Sequence, residues 1–379
     1  MVDLNSSIPH AQLTGINFAE LPSLNRQTSD SMRIARVLCI VFMMTTHIWP
    51  GWGRLLAADH GTVWNIFTLI IVDYLGRASV PFLSLVSGIL FVYTFRRKNS
   101  VARVLADKFM TLILPMALWS IPALLLLAAK YHLKGTDLVD WPNGLLAWTS
   151  QFLSIHGAPA NGPLHFLREI FLCCLYATAV LLLLGKSRLA GVTLAVVIVA
   201  IEMQPQLGVL FRWYVAAFFL GGVMLAAFGR ANWTPGWGLI VALLAADVLL
   251  RTGIIAGIPE IARNNQEILH RLALSMLAWR FCASLANGWP RVASSLKSFE
   301  PYVFVIFCSH MLTITIFAGV AMAMAWHESQ PLYPLMFAAQ LVACIVVGIV
   351  LTKLLQPFPV LRGKGSWTAI PNMGRQTAA

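Results

Sequence analysis

The chain has 379 residues, of which 58% are hydrophobic and only 11% charged, and its mean hydropathy is +0.75. A soluble domain carries about 25% charged residues, so this composition excludes an ordinary soluble protein and places the chain in a bilayer. The net charge of +12 comes from short basic clusters between apolar runs, which suits membrane orientation and not a nucleic-acid-binding stripe.

Residues 1–32 are polar and mixed in charge, without the apolar core and small-residue cleavage site of a signal peptide, and are expected to form a retained cytoplasmic tail. Apolar runs then recur to residue 355. A helix needs roughly 20 residues to cross the hydrocarbon slab, and inside it each segment must satisfy its own backbone. The runs bounded by charges, Pro or Gly predict helices at 33–50, 63–95, 102–129, 164–185, 189–204, 207–228, 237–256, 267–286, 302–325 and 332–355. The expected fold is therefore all-α: a polytopic integral membrane protein of about ten transmembrane helices in one bundle spanning 33–355, with 356–379 as a second tail.

The second run is too long for one span, and Gly76 and Pro81 are expected to break or kink it. The eighth carries His270, Arg271 and Arg280. Most of the 27 lysines and arginines fall on the N-terminal side of this ten-span arrangement, which puts both termini in the cytoplasm of a bacterial inner membrane. Segment 130–163 is the longest external connection, and a loop of that length in a compact bundle is more often functional than idle. No internal repeat is evident. All six cysteines sit in apolar segments without metal-type spacing and are read as packing residues, so neither disulfides nor a bound metal is expected.

The most informative stretch is 32–49, MRIARVLCIVFMMTTHIW, where Arg36 precedes His47 by eleven positions. On one helix that is about three turns plus 20°, so both side chains share a face about 16 Å apart along the axis. A guanidinium and an imidazole at that depth are unfavourable unless they face the protein interior or a wet cavity. The plainer alternative is a snorkelling anchor at Arg36 and a hydrogen-bonded packing residue at His47.

That helix resembles the acyltransferase 3 family of membrane proteins, whose first helix carries an arginine, ten residues, then a histidine. GRASVPFLSLVSGILF at 76–91 resembles a second family element, with Arg77, Val80, Pro81, Phe82, Ser87 and Gly88 on matching positions. GPLHFLR at 162–168 resembles its Leu-Trp-Phe-Leu element, with His165 in place of the tryptophan, and YVFVIFCSHM at 302–311 resembles the late element that ends in a histidine, here His310. The resemblance covers roughly 33–355. It implies transfer of an acyl group from cytoplasmic acyl-CoA, a co-substrate and not a resident cofactor, to a hydroxyl of a glycan or lipid-linked saccharide.

The residues fit that chemistry. Acyl transfer to an alcohol needs a base for the hydroxyl proton, and an imidazole with an unperturbed pKa near 6.5 can serve at neutral pH; His47 takes that role, with His310 as the second catalytic candidate. An arginine fork binds phosphate in two-pronged fashion, which assigns the CoA phosphates to Arg36, with Arg33 beside it. Arg77, His165, Arg168 and Ser87 are the substrate-binding candidates. Each has a plainer reading: Arg77 as an interfacial anchor, Arg168 with Glu169 as a structural ion pair, Ser84 and Ser87 as packing hydroxyls. Asp73, Arg212, Asp247 and Arg280 are read as pairing partners within the bundle.

No Gly-x-Ser-x-Gly elbow, phosphate-cradling loop or paired-histidine zinc motif occurs in the sequence. The expected activity is acyl transfer to a sugar hydroxyl of a periplasmic or exported glycan, with the acyl group open between acetyl and succinyl; Arg77, Arg168 and Arg212 could receive a succinyl carboxylate. The alternative is a secondary transporter or flippase with buried Arg and His residues on a substrate or proton path.

Overall fold

The computed structural model describes residues 15–48, 69–98, 100–134, 144–155, 159–204, 206–251, 266–326 and 332–364, with 142 and 157. These residues contain helices and no strand. In chain order the α-helices are α1 (Arg26–Thr45), α2 (Arg77–Lys98), α3 (Val101–Lys108), α4 (Leu114–Lys134), α5 (Leu145–Leu153), α6 (His165–Leu184), α7 (Arg188–Glu202), α8 (Trp213–Ala227), α9 (Trp237–Arg251), α10 (Gln266–Gly288), α11 (Pro290–Ala323) and α12 (Tyr333–Leu354). Wide π-helical turns, Leu69–Gly76 and Phe109–Ile113, lead into α2 and α4. Positions 49–50, 63–68, 135–141, 143, 156, 158 and 252–256 lie outside the described residues.

Five helical stretches among the described residues are long and apolar enough to cross a membrane: Ile70–Lys98, Val101–Ala129, Gly162–Leu184, Pro290–Ala323 and Tyr333–Leu354. Trp213–Ala227 and Trp237–Leu250 are apolar but shorter. The expectation of ten spans thus meets five by length and apolarity, because α1 and α10, though long, carry several charged residues, and α7, α8 and α9 have 15 residues each. The run at 207–228, for example, becomes helical only at Trp213.

The first helix also differs from its expected bounds. It begins at Arg26, seven residues before the apolar run, because Asn25 caps it by accepting from the Thr28 amide at 2.7 Å. Thr28 and Ser31 in its polar first turns are buried. At the other end Thr45 and Thr46 turn their hydroxyls back onto the carbonyls of Phe42 and Met43, at 2.6 and 2.7 Å, and the helix stops. His47 follows in a turn, so the helical count from Arg36 does not extend to it. The break expected near Gly76 and Pro81 falls at Gly76 alone, and α2 runs through Pro81. A Cβ on Gly76 would lie 2.5 Å from the Thr46 methyl, so this close approach admits only glycine.

Two compact units are formed. The first comprises Met1–Thr46, Thr62–Asn99 and Leu172–Glu300. Its most extensive packing is α2 against α8, where two glycines interlock: a Cβ on Gly88 would sit 2.0 Å from the Phe219 carbonyl oxygen, and one on Gly222 2.1 Å from that of Leu85. Small residues let membrane helices approach backbone to backbone where a hydrophobic drive between helices is absent. The segment before α1 is fastened to the end of α2 by Arg96, which donates to the carbonyls of Leu21 and Ala19 at 2.6 and 2.7 Å.

The second unit comprises His47–Gly61, Ser100–Phe171 and Pro301–Ala379. Trp119 of α4 donates its indole N–H to the Leu361 carbonyl at 3.0 Å. Gly348 of α12 meets Ile306 of α11 so closely that a Cβ would lie 2.3 Å from the Ile306 side chain. Phe166 and Phe307 pack edge to face with ring centroids 6.3 Å apart.

Candidate active site

The second unit brings His47 and His310 together, with ring centroids 5.5 Å apart and planes inclined at 48°. His310 is fully buried on α11. Its Nδ1 lies 2.6 Å from the Phe307 carbonyl oxygen one turn back. A carbonyl only accepts, so Nδ1 carries the proton and Nε2 presents a lone pair. The Phe307 ring stacks on the imidazole at 6.0 Å, and the His310 carbonyl receives the Cys344 thiol at 3.7 Å. His47 is half-buried.

Asn161, just ahead of α6, is buried and donates its Nδ2 to the Cys308 carbonyl at 2.8 Å. Besides Arg362 Nε, three buried polar atoms of this unit have no hydrogen-bond partner among the described residues: His310 Nε2, Asn161 Oδ1 and Ser309 Oγ. An unsatisfied buried group costs about 1–3 kcal/mol, and three within one short region mark a place where a ligand or water would complete the bonding. Asn161 and Gly162 also line a cavity of about 170 Å³ with Leu126 and Leu127 of α4 and Met311 and Thr315 of α11.

In the first unit Arg33 and Arg36 both close on Glu300: Arg33 Nε reaches one carboxylate oxygen and an Arg36 terminal nitrogen the other, each at 2.5 Å. Lys297 pairs with Asp30 at 2.7 Å. Three cations and two carboxylates leave this group one net positive charge, and the buried Arg36 Nε has no hydrogen-bond partner among the described residues. Glu300 gave no signal in the sequence, since it lies 264 positions beyond Arg36.

The remaining expected residues fall as follows. Arg77 is exposed, and its backbone carbonyl accepts from Arg271 at 3.2 Å. The Ser87 hydroxyl donates to the Leu83 carbonyl of its own helix at 2.7 Å, as Ser84 does to Val80 at 2.8 Å. His165 holds Nδ1 against the Gly162 carbonyl at 2.6 Å, and its Nε2 is 3.9 Å from the buried Glu169 carboxylate. Arg168 is half-buried on α6.

Asp247, expected to pair within the bundle, has a buried partner that the sequence did not identify. His270 Nδ1 and an Asp247 carboxylate oxygen meet at 2.7 Å, both residues 3% exposed, with the Tyr74 ring edge-on at 5.1 Å. Arg271 lies 4.0 Å over the Tyr214 ring and pairs with Glu267. Adjacent His270 and Arg271 in an apolar run are the same kind of signal as Arg36 and His47. Among the described residues, no group of three His, Cys, Asp or Glu side chains is placed to hold a metal.

Comparison with known proteins bears directly on this arrangement. The chain is 23% identical over 366 residues to the succinoglycan biosynthesis protein ExoH of Rhizobium meliloti (strain 1021), covering 93% of this chain and 96% of that protein. No solved structure matches it. An acyltransferase domain model, that of the acyltransferase 3 family, matches residues 29–353. A match over that much of the sequence, with Arg36, His47 and His310 all inside it, makes the chain a member of the acyltransferase 3 family.

Proposed function

We propose that the protein is a membrane O-acyltransferase that moves a succinyl or acetyl group from cytoplasmic acyl-CoA to a hydroxyl of a periplasmic or exported glycan. The observation that carries this reading is the meeting of His47 and His310, two histidines far apart in sequence, beside unsatisfied buried polar atoms. The role of the ExoH relative, succinoglycan biosynthesis, favours an exopolysaccharide acceptor and keeps succinyl among the acyl groups.

In this mechanism His47, the half-buried ring, takes the proton from the acceptor hydroxyl as its oxygen attacks the thioester carbonyl. A C–O bond forms, the C–S bond breaks, and the imidazolium returns its proton to the CoA thiolate. His310, held in one tautomer by Phe307, backs His47 with its free Nε2 lone pair. Arg36 and Arg33 hold the CoA phosphates through the residual positive charge of their cluster with Glu300. The chain crosses an inner membrane ten times with both termini cytoplasmic, the five long stretches being joined by α1, α7, α8, α9 and α10. At 15 residues, α7, α8 and α9 are about 22 Å long and need local thinning of the bilayer or flanking anchors.

The test is transfer by the purified protein from labelled succinyl-CoA and acetyl-CoA to a glycan acceptor. Labelled glycan and an equal amount of free CoA are expected. Uptake or flipping of substrate without CoA, and no transfer, would overturn the enzyme reading in favour of a transporter.

A further inference from the structure

The first unit holds an apolar cavity of about 340 Å³ that the acyl-transfer chemistry does not use. That lies at the low end of ligand pockets, roughly 300–1,000 Å³. Its walls are Phe42 of α1, Ala78 and Phe82 of α2, Trp237 of α9, and Leu277 and Phe281 of α10. The hydroxyl of Ser79, which also faces it, is satisfied by the Leu75 carbonyl at 2.8 Å, so the lining offers nothing to a polar ligand. Phe281 and Trp237, at 52% and 53%, are its exposed lining residues.

A cation stands against this exposed wall. The Arg280 guanidinium lies 5.6 Å over the ring of Trp237, the first residue of α9. Among the described residues no carboxylate pairs with Arg280, and its buried Nε has no hydrogen-bond partner. Trp237, Trp233 and Trp279 gather at the same level, the last two edge to face at 5.9 Å, as aromatic side chains do at a membrane interface. From Cys282 back to Leu274 the α10 lining residues run for about 12 Å along the axis.

An unpaired cation beside interfacial tryptophans and a predominantly apolar cavity has the polarity of a phospholipid. We propose that this cavity is a phospholipid-binding site, with the lipid phosphate on Arg280 and part of one acyl chain between α1, α2, α9 and α10. Arginine suits the role because its planar fork takes two phosphate oxygens at once, and the chain is held by burial of its methylenes. The site does not depend on the acyltransferase assignment.

The experiment uses the full-length protein, stripped of lipid in detergent and titrated with phosphatidylglycerol or with diacylglycerol of the same chains. Binding is read by native mass spectrometry and by thermal unfolding. The wild type is expected to retain one phosphatidylglycerol and to gain a few degrees in Tm with it, and to gain less with diacylglycerol. Arg280→Gln should erase the preference between the two lipids, whereas Ala278→Phe, which fills the cavity, should abolish binding of both. Equal responses of the wild type to the two lipids would overturn the proposal without any variant. So would unchanged retention in Ala278→Phe, or displacement of the phospholipid by a polyprenyl phosphate at equal concentration.

Discussion

Arg36 and Glu300 meet at 2.5 Å, and the same carboxylate also holds Arg33. The group proposed to receive CoA phosphates is therefore already half neutralised by the protein. Arg36→Ala should weaken acyl-CoA binding, and Arg36→Lys should restore it only in part because the fork is lost. Glu300→Gln should tighten acyl-CoA binding, since it removes a competing anion, while lowering Tm. Direct binding measurements check all three, and an unchanged affinity in both Arg36 variants would remove the donor-site assignment.

His47→Gln and His310→Gln proteins should insert, fold and bind acyl-CoA, but transfer slowly. Loss of a positioned base typically costs about 10²–10⁴ in rate. More than roughly one tenth of wild-type activity in the His47 variant would move the base to His310, with His165 the next to test. Intact transfer in all three would end the histidine mechanism.

Asp247 and His270 form a buried pair, so removing one partner leaves the other stranded. His270→Ala should destabilise the protein by about 3–5 kcal/mol, and the double variant Asp247→Leu/His270→Leu should recover much of that loss. Thermal unfolding in detergent distinguishes this outcome from a catalytic role: transfer per folded molecule should be unchanged in the double variant.

Gly88→Ala and Gly222→Ala each force a methyl into a facing carbonyl oxygen and should lose about 1–3 kcal/mol or more. Gly221 supplies the control: its added Cβ would meet only a Leu85 methyl at 3.8 Å. Gly221→Ala should therefore leave Tm within a degree or two of the wild type.

Single cysteines at Leu146 and Arg97, in a background lacking the six native ones, test the orientation. An impermeant thiol reagent applied outside intact cells should label position 146 and spare 97. The reverse pattern would invert the proposed direction of transfer.

Much of this was legible in the sequence, and the reason differs by residue. The all-helical class followed from apolar runs that had to satisfy their own backbones. His47 stood out because an imidazole in an apolar segment is unusual, and His310 because its segment resembles a family element that ends in a histidine. The ends of helices were less legible. Thr45 and Thr46 read as ordinary apolar-helix residues, yet their hydroxyls close α1 before His47, and Asn25 starts it in a polar stretch that hydropathy assigns to a tail. Glu300 and Asn161 were invisible because what matters about each is a distant partner, Arg33 at 267 positions and Cys308 at 147. Asp247 was noticed as a charge in need of a partner, but sequence spacing could not pick out His270.

The wide turns at Phe109–Ile113 bear on how α3 is aimed. Each closes its hydrogen bond over one residue more than an α-helical turn, and one extra residue swings everything before it by about 100° about the axis. Within Val101–Ala129, the face of α3 that buries Val104 is thus set independently of the face that α4 buries at Met116 and Trp119. A chain one residue shorter there would still form an unbroken rod, but with Arg103 and Lys108 pointing to a different quarter of the membrane surface.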